Sequence, residues 1–293
     1  MDISLRLTAI AYIIRECIGG RYKMQPADDL CADPAMENAM RKPVTVADIG
    51  CDHGYLGIYL CERDILESGR VLACDLREGP LKIAEGNIAG SGFSDRIETR
   101  LSDGLEKIEP GEADIITING MGGELIFDIL KRGEQVIKKA EYAVVSPQSK
   151  IPAFRYCMKR CGIDIIHEEV VYDAGKYYHI MVLSDLDKAD FSGMSVFEDP
   201  GITGISYEDY AGRVVAPVIY TEELLKKRKL LIEAKKRIEE GLCIEADDAG
   251  TADDDVQTHN DSKVKEDKKI ENRALERLRE IDIEIEYIDR ILS

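Results

Sequence analysis

Five short apolar runs, at 44–49, 71–74, 97–101, 115–118 and 142–145, alternate with helix-patterned stretches at 55–67, 79–91, 124–132 and 151–161. Apolar runs of that length suit strands buried on both faces, and the stretches between them are long enough to cross back over a sheet as helices. The rhythm is that of an open, mainly parallel sheet with helices on both sides. It ends differently. Residues 164–172 and 177–183 are two strand-like runs joined only by Asp173, Ala174, Gly175 and Lys176, a hairpin-type connection that makes the pair antiparallel. A dinucleotide-binding sheet would normally continue in parallel.

Before this alternation, Ile3, Leu7, Ile10, Ala11 and Ile14 recur at helical spacing and define an amphipathic opening helix. A polar stretch at 19–43 follows, read as a long loop or a short extra helix. After residue 186 the alternation stops. Leu224, Leu231 and Ile238 repeat every seven residues, with Lys and Arg dense between them. Ile270, Ala274, Leu278, Ile281, Ile285, Ile288 and Leu292 follow a four/three spacing. Two such helices predict an antiparallel coiled-coil hairpin, with a disordered acidic linker at about 244–266 between them. The expected organisation is therefore an α/β domain over 1–186 and a helical extension over 187–293.

No run of apolar residues reaches the roughly 18 needed to span a bilayer. The N-terminus carries Asp2, Arg6, Arg15 and Glu16 and does not pattern as a secretion signal. The eight cysteines contain no C-x-x-C pair, so buried reduced thiols, no metal and a cytoplasmic chain are expected. The formal charge of −18 counts against a nucleic-acid partner. Much of that excess lies at 245–262, however, and basic residues cluster elsewhere: Lys131, Arg132, Lys138, Lys139, Lys150, Arg155, Lys159 and Arg160, and again over 226–237.

The first strand runs into DIGCDHGYL, where Asp48, Gly50 and Gly54 precede a helix. A glycine at that turn lets the backbone bend tightly and admits a ligand without a Cβ. Asp48 and Asp52 suit a cationic, amine-bearing ligand better than a pyrophosphate. Asp75 ends the second strand in ACDLREGPL, where a carboxylate accepts both ribose hydroxyls. Ser102, Asp103 and Gly104 follow the third strand, with Asp103 placed to accept from an adenine amino group. The fourth strand leads into INGMGGEL. There Gly120, Met121 and Gly122 imply close approach of backbone to ligand, and Asn119 offers donor and acceptor to a base edge, or a helix cap. Gln148, after the fifth strand, faces the same cleft. His53, directly after the turn, reads as a cofactor contact or a structural hydrogen bond before an acid–base group, and Cys51 as a wall residue.

With these motifs the sequence resembles the bacterial tRNA (adenine-22 N1)-methyltransferase family. The matching pieces are S-x-R-L from Ser4 to Leu7, DIGCDHGYL, DLREGPL, LSDGLEKI, GEADIITINGMGG and VVSPQS. The Asp-His pair in the glycine loop and the GMGG run are specific to it, and a closing antiparallel hairpin is typical of S-adenosylmethionine-dependent methyltransferases. The resemblance implies a Rossmann-like class I methyltransferase domain with a C-terminal α-helical coiled-coil domain. It further implies S-adenosyl-L-methionine as cofactor, tRNA as partner and methyl transfer to N1 of an adenosine at position 22. Carried over by position, Asp48, Gly50, Asp52, His53, Gly54, Asp75, Leu76, Asp103, Gly104, Gly120, Met121 and Gly122 line the cofactor pocket. Arg6 and Gln148 approach the substrate, and from their own chemistry Asn119 and Gln148 are expected to contact the base edge. Leu5 and Asn119 stand where the family often has lysine and alanine.

Adenine N1 carries a free lone pair at neutral pH, so no strong base is required. The chain must align N1 with the methyl group and exclude water. A monomer is expected. Two other readings stay open on sequence alone: a Rossmann methyltransferase acting on a protein or small molecule, and a non-catalytic RNA-binding adaptor.

Overall fold

The computed structural model describes residues 3–22, 42–194, 196–212, 214, 217–249 and 260–293. Most of the 19–43 segment and the middle of the 244–266 linker lie outside the described residues. The chain falls into two compact units, Met1–Asp199 with Gly212–Ala216, and Pro200–Ala211 with Pro217–Ser293. Among the described residues no helix is long and apolar enough to cross a membrane.

In the first unit α1 (Leu5–Ile18) precedes β1 (Thr45–Ile49), α2 (Tyr55–Glu62), β2 (Arg70–Asp75), α3 (Glu78–Ser91) and β3 (Ile97–Leu101). Then come β4 (Ile115–Met121), α4 (Gly123–Arg132), the one-turn α5 (Glu134–Ile137), β5 (Tyr142–Pro147), α6 (Ile151–Arg160), β6 (Asp164–Asp173) and β7 (Lys176–Ser184). The seven strands are ordered β3-β2-β1-β4-β5-β7-β6. The first five run parallel, and β7 is antiparallel to both β5 and β6. Chain order reverses between β1 and β4, and the carboxyl ends of strands at such a switch point form a ligand crevice.

Strand parity builds two cores. Ala47, Ile49, Leu72, Cys74, Ile116, Ile118 and Val145 face Phe127 and Leu130 of α4 and Phe154 and Met158 of α6. Their neighbours Val46, Val71, Ala73, Ile115 and Val144 face Ile10, Ile13 and Ile14 of α1, Leu56 and Leu60 of α2, and Ala84 and Ile88 of α3. Each large side chain so buried contributes about 1.5–3 kcal/mol. The helix over 55–67 is shorter than its pattern: it stops at Glu62, and Asp64 and Glu67 take φ values of 52° and 49° that end it. The β6–β7 turn places Ala174 and Gly175 at φ 47° and 86°, the double left-handed turn that matches strand twist. Beyond residue 186, Ala189, Phe191 and Met194 still pack into the α4/α6 core, which carries the first unit to Asp199.

The second unit holds the short α7 (Gly201–Gly204) and α8 (Tyr207–Ala211) and two long helices, α9 (Pro217–Ala249) and α10 (Asn260–Leu292). The ion pairs Arg228–Asp289 and Lys235–Asp282 run in opposite senses along the two helices, which are therefore antiparallel. Leu224 and Leu231 of α9 and Ile281 and Ile288 of α10 are buried at the expected seven-residue spacing. Two expectations need correction. Ile270 is 48% exposed and not part of a buried seam. The helices also continue into the expected linker, to Ala249 and from Asn260, because charged residues there remain good helix formers.

Candidate functional site

At the carboxyl ends of β1 to β5 lies a cleft of about 470 Å³. Its wall brings together Arg6, Gly50, Asp52, Asp75, Leu76, Asp103, Gly104, Asn119, Gly120, Met121 and Gln148, from segments spread over most of the first unit. Four expected residues sit outside this lining. Asp48 is buried beneath it, at 4% exposure. His53 turns towards its own turn, with Nδ1 2.9 Å from Asp52 Oδ2 and its ring stacked on Tyr55 at 5.8 Å. Gly54, at φ 74°, starts α2, and a Cβ there would press on Ala84 of α3, so it serves helix packing. Gly122 precedes α4 and would press on Ser149.

The turn after β1 is held by backbone bonds from Gly50 and Cys51 N–H to Cys74 O, at 2.8 and 2.9 Å. Gly50 has φ 76°, and a Cβ on it would run into the Met121 side chain across the cleft floor. Asp52 also takes a left-handed φ of 52°, a conformation Asp tolerates better than most residues. Its N–H donates to Asp75 Oδ2 at 3.1 Å, and Arg77 N–H donates to Asp75 Oδ1 at 2.9 Å. Two backbone donors thus aim the Asp75 carboxylate, and each oxygen retains a lone pair for a ligand hydroxyl.

Burial, and then the charge of Asp75, push the Asp48 carboxyl up to about 7. Burial likewise lifts the Cys51 thiol, with Asp48 and Asp75 adding to it, which disfavours its thiolate. Asp103 differs from expectation. Arg132 grips it with two bonds of 2.9 Å, which hold its carboxyl below the usual range. Any adenine amino group would have to share those oxygens.

On the other side of the cleft, Asn119 Nδ2 donates to the buried Thr117 Oγ1, while Asn119 Oδ1 is buried and finds no partner among the described residues. Gly120, at φ 79°, has only Arg6 Nη1 and Gln148 Nε2 near the place of its missing Cβ, at 3.6 and 3.8 Å. The backbone is bare between the two substrate-side residues. Leu125 and Ile129, both of α4, also line the wall and were not singled out from the sequence. Their signal was the apolar spacing directly after the GMGG run. Leu76 and Leu125, 64% and 48% exposed, give the cleft two apolar side chains in its lining.

Several residues of the first basic cluster are already engaged. Arg155 is buried against Glu168 and His179, inside the unit. Arg132 serves Asp103, Lys138 pairs with Glu134, Lys150 with Glu124 and Asp199, and Arg160 with Glu198. No three His, Cys, Asp or Glu side chains converge as a metal site among the described residues.

Residues 35–181 match the family described as a methyltransferase domain. The tRNA (adenine(22)-N(1))-methyltransferase of Bacillus subtilis is 31% identical over 205 residues, covering 69% of this chain and 80% of that protein. The crystal structure of the B. subtilis m1A22 tRNA methyltransferase superposes with a TM-score of 0.64 at 22% identity, over 100% of this chain and 99% of that one. A Streptococcus pneumoniae protein in complex with S-adenosyl-L-methionine superposes with a TM-score of 0.65 at 22% identity, over 100% of both chains. With that extent of shared sequence and fold, the chain belongs to the tRNA (adenine(22)-N(1))-methyltransferase family.

Proposed function

We infer that the protein transfers a methyl group from S-adenosyl-L-methionine to N1 of an adenosine in tRNA, at position 22 as in its B. subtilis relative. The observation that carries this reading is one cleft with two chemically distinct sides. Asp52, Asp75 and Asp103, from three successive strand ends, form an acidic side, and Arg6, Gly120 and Gln148 form the other. The acidic side fits the cofactor's cationic groups and ribose, with Asp75 accepting the hydroxyls and Leu76 covering the base. When bound, S-adenosyl-L-methionine supplies an electrophilic methyl group.

The protein's own residues then orient and exclude. Gly120 leaves room for a planar ring between Arg6 and Gln148, and Leu125 and Met121 keep water from the approach line. Gln148 offers the base edge an amide. Asn119 reaches it only by turning from Thr117, which would relieve its unpartnered oxygen. The target adenosine must leave its stack, at a cost of a few kcal/mol. The first unit carries the chemistry, and the α9–α10 pair helps to hold the tRNA.

The test is incubation of the purified protein with methyl-labelled S-adenosyl-L-methionine and unmodified tRNA, followed by mapping of the label. Label at N1 of adenosine 22 is expected. Label elsewhere in the tRNA would correct the position, and label only on protein or small molecules would overturn the reading.

A further inference from the structure

The end of the β6–β7 hairpin projects past the sheet. β5 pairs with β7 only from Ala143↔Leu183 to Val145↔Met181, whereas β6 and β7 stay paired as far as Asp173↔Lys176. Because β7 is antiparallel to β5, this projecting end lies at the edge where β5 reaches Pro147 and Gln148, the cleft edge. It is also tied to the cleft directly. Arg6 N–H donates to Asp173 Oδ2 at 3.4 Å, and the Arg6 guanidinium lies 5.0 Å from the centre of the Tyr178 ring. That guanidinium is held by a ring face and not by a carboxylate among the described residues, and it reaches the space above Gly120. On the opposite face of the hairpin, Tyr172 and Tyr177 pair across the strands with ring centres 4.8 Å apart, and Tyr172 is 45% exposed. Lys176 stands exposed at the turn.

A cross-strand tyrosine pair stabilises any hairpin. That alone does not account for its place beside the cleft, or for an arginine supported on a ring at the mouth. Single-stranded RNA is recognised by what the two faces and the turn of this hairpin carry: an exposed aromatic ring, Tyr172, on which an unstacked base can lie, and cations for the backbone, Lys176 at the turn and Arg6 across the ribbon. An adenosine drawn into the cleft leaves its neighbours unstacked at the rim. We propose that the projecting end of the β6–β7 hairpin is an RNA-contacting element, with Tyr172 stacking a base adjacent to the target adenosine and Arg6, presented by Tyr178 and Asp173, taking a backbone phosphate. The proposal rests on the tRNA reading above and assigns which surface of the first unit meets the strand.

Steady-state methylation of unmodified tRNA by the full chain tests it, with cofactor affinity and melting temperature measured for each variant. Tyr172→Ala and Tyr172→Leu should raise KM for tRNA by roughly tenfold, a typical loss for one stacked base, with cofactor affinity unchanged. Tyr172→Phe keeps the ring face and should retain the wild-type KM. Arg6→Gln should flatten the salt dependence of tRNA binding by about one unit of slope, as for one lost phosphate contact. Tyr178→Leu should do the same by letting Arg6 drift, and Tyr178→Phe should not. Equal KM for Tyr172→Leu and wild type, or a Tyr172→Phe defect as large as that of Tyr172→Leu, would overturn the stacking role. An unchanged salt slope in Arg6→Gln would overturn the phosphate contact. Failure of the wild-type chain to methylate tRNA at all would instead count against the functional reading itself.

Discussion

Asp75, in the wall of the cleft, and Asp48, buried outside that lining, make different predictions. Asp75 is aimed by two backbone N–H groups at the lining, so Asp75→Ala should lose about 1.5–3 kcal/mol of cofactor affinity, the range for charge-assisted bonds. Calorimetry on a folded mutant with unchanged affinity would remove it from the site. Asp48 lies deeper, and its carboxyl is raised to about 7 by burial and by Asp75. The fold prefers its protonated form. Its stabilising contribution is therefore full below the unfolded value of about 4, and is lost as pH rises through about 7. The unliganded protein should lose stability across that window, and Asp48→Asn should remove that part of the slope in pH-dependent melting. A cationic ligand favours the ionised form, so cofactor binding near neutral pH should release a proton through Asp48. Calorimetry in two buffers of different ionisation heat reads this release, and an identical value in Asp48→Asn would refute the linkage. The role of Asp103 was less legible. Its position after β3 was plain, but its partner Arg132 comes from α4, and no local pattern announces a contact made across the sheet's edge.

Among the elements, the buried trio of Arg155, Glu168 and His179 connects α6 to β6 and β7. A Cβ on Gly212 would collide with both Glu168 and Arg155, so the trio also receives the Gly212 backbone at close range. Arg155→Met leaves Glu168 buried and unpaired by Arg155, and should cost about 3–5 kcal/mol by chemical denaturation. A loss under 1 kcal/mol, the range of a surface pair, would show that the pair is not the anchor its burial indicates. In the helical unit the order of effects reverses. Arg228–Asp289 and Lys235–Asp282 are exposed, and solvent and salt screen them, so each adds little. Ile281 and Ile288 are fully buried, and truncating either to Ala should cost about 2–5 kcal/mol. A helical unit weakened more by Arg228→Ala than by Ile288→Ala would contradict this ranking.

For the whole molecule, the question is how a chain with a formal charge of −18 binds RNA. Several of the basic residues that stand out in the sequence are neutralised within the protein, which leaves a smaller cationic footprint than the count suggests. Affinity for tRNA should still fall with salt, but with the shallow slope of a few phosphate contacts. A steep slope would mean that the ion pairs along α9 open to let their cations face RNA. Removing α9 and α10 by ending the chain after residue 216 should leave cofactor affinity nearly intact and weaken tRNA binding. Equal methylation by the shortened chain would instead assign α9 and α10 to a protein partner.

The strand–helix alternation, the closing hairpin and the acidic strand ends were all readable in the chain, because each depends on residues a few positions apart. Period, turn chemistry and strand-end motifs are local, and they sufficed for the sheet, the cleft edge and the carboxylates of Asp52, Asp75 and Asp103 that line it. What the tertiary structure decided was which charges remain available and which side chains share a wall. Arg132 and Arg155 look alike in sequence, yet one grips Asp103 at the surface and the other is buried on Glu168. Asp48 and Asp52, four residues apart, end on opposite sides of the cleft floor. Arg6 reaches the site only because α1 meets a hairpin 167 residues away. Partner choice over such separations is fixed by packing, since a charge or ring finds its neighbour only after the sheet has brought distant segments to one edge.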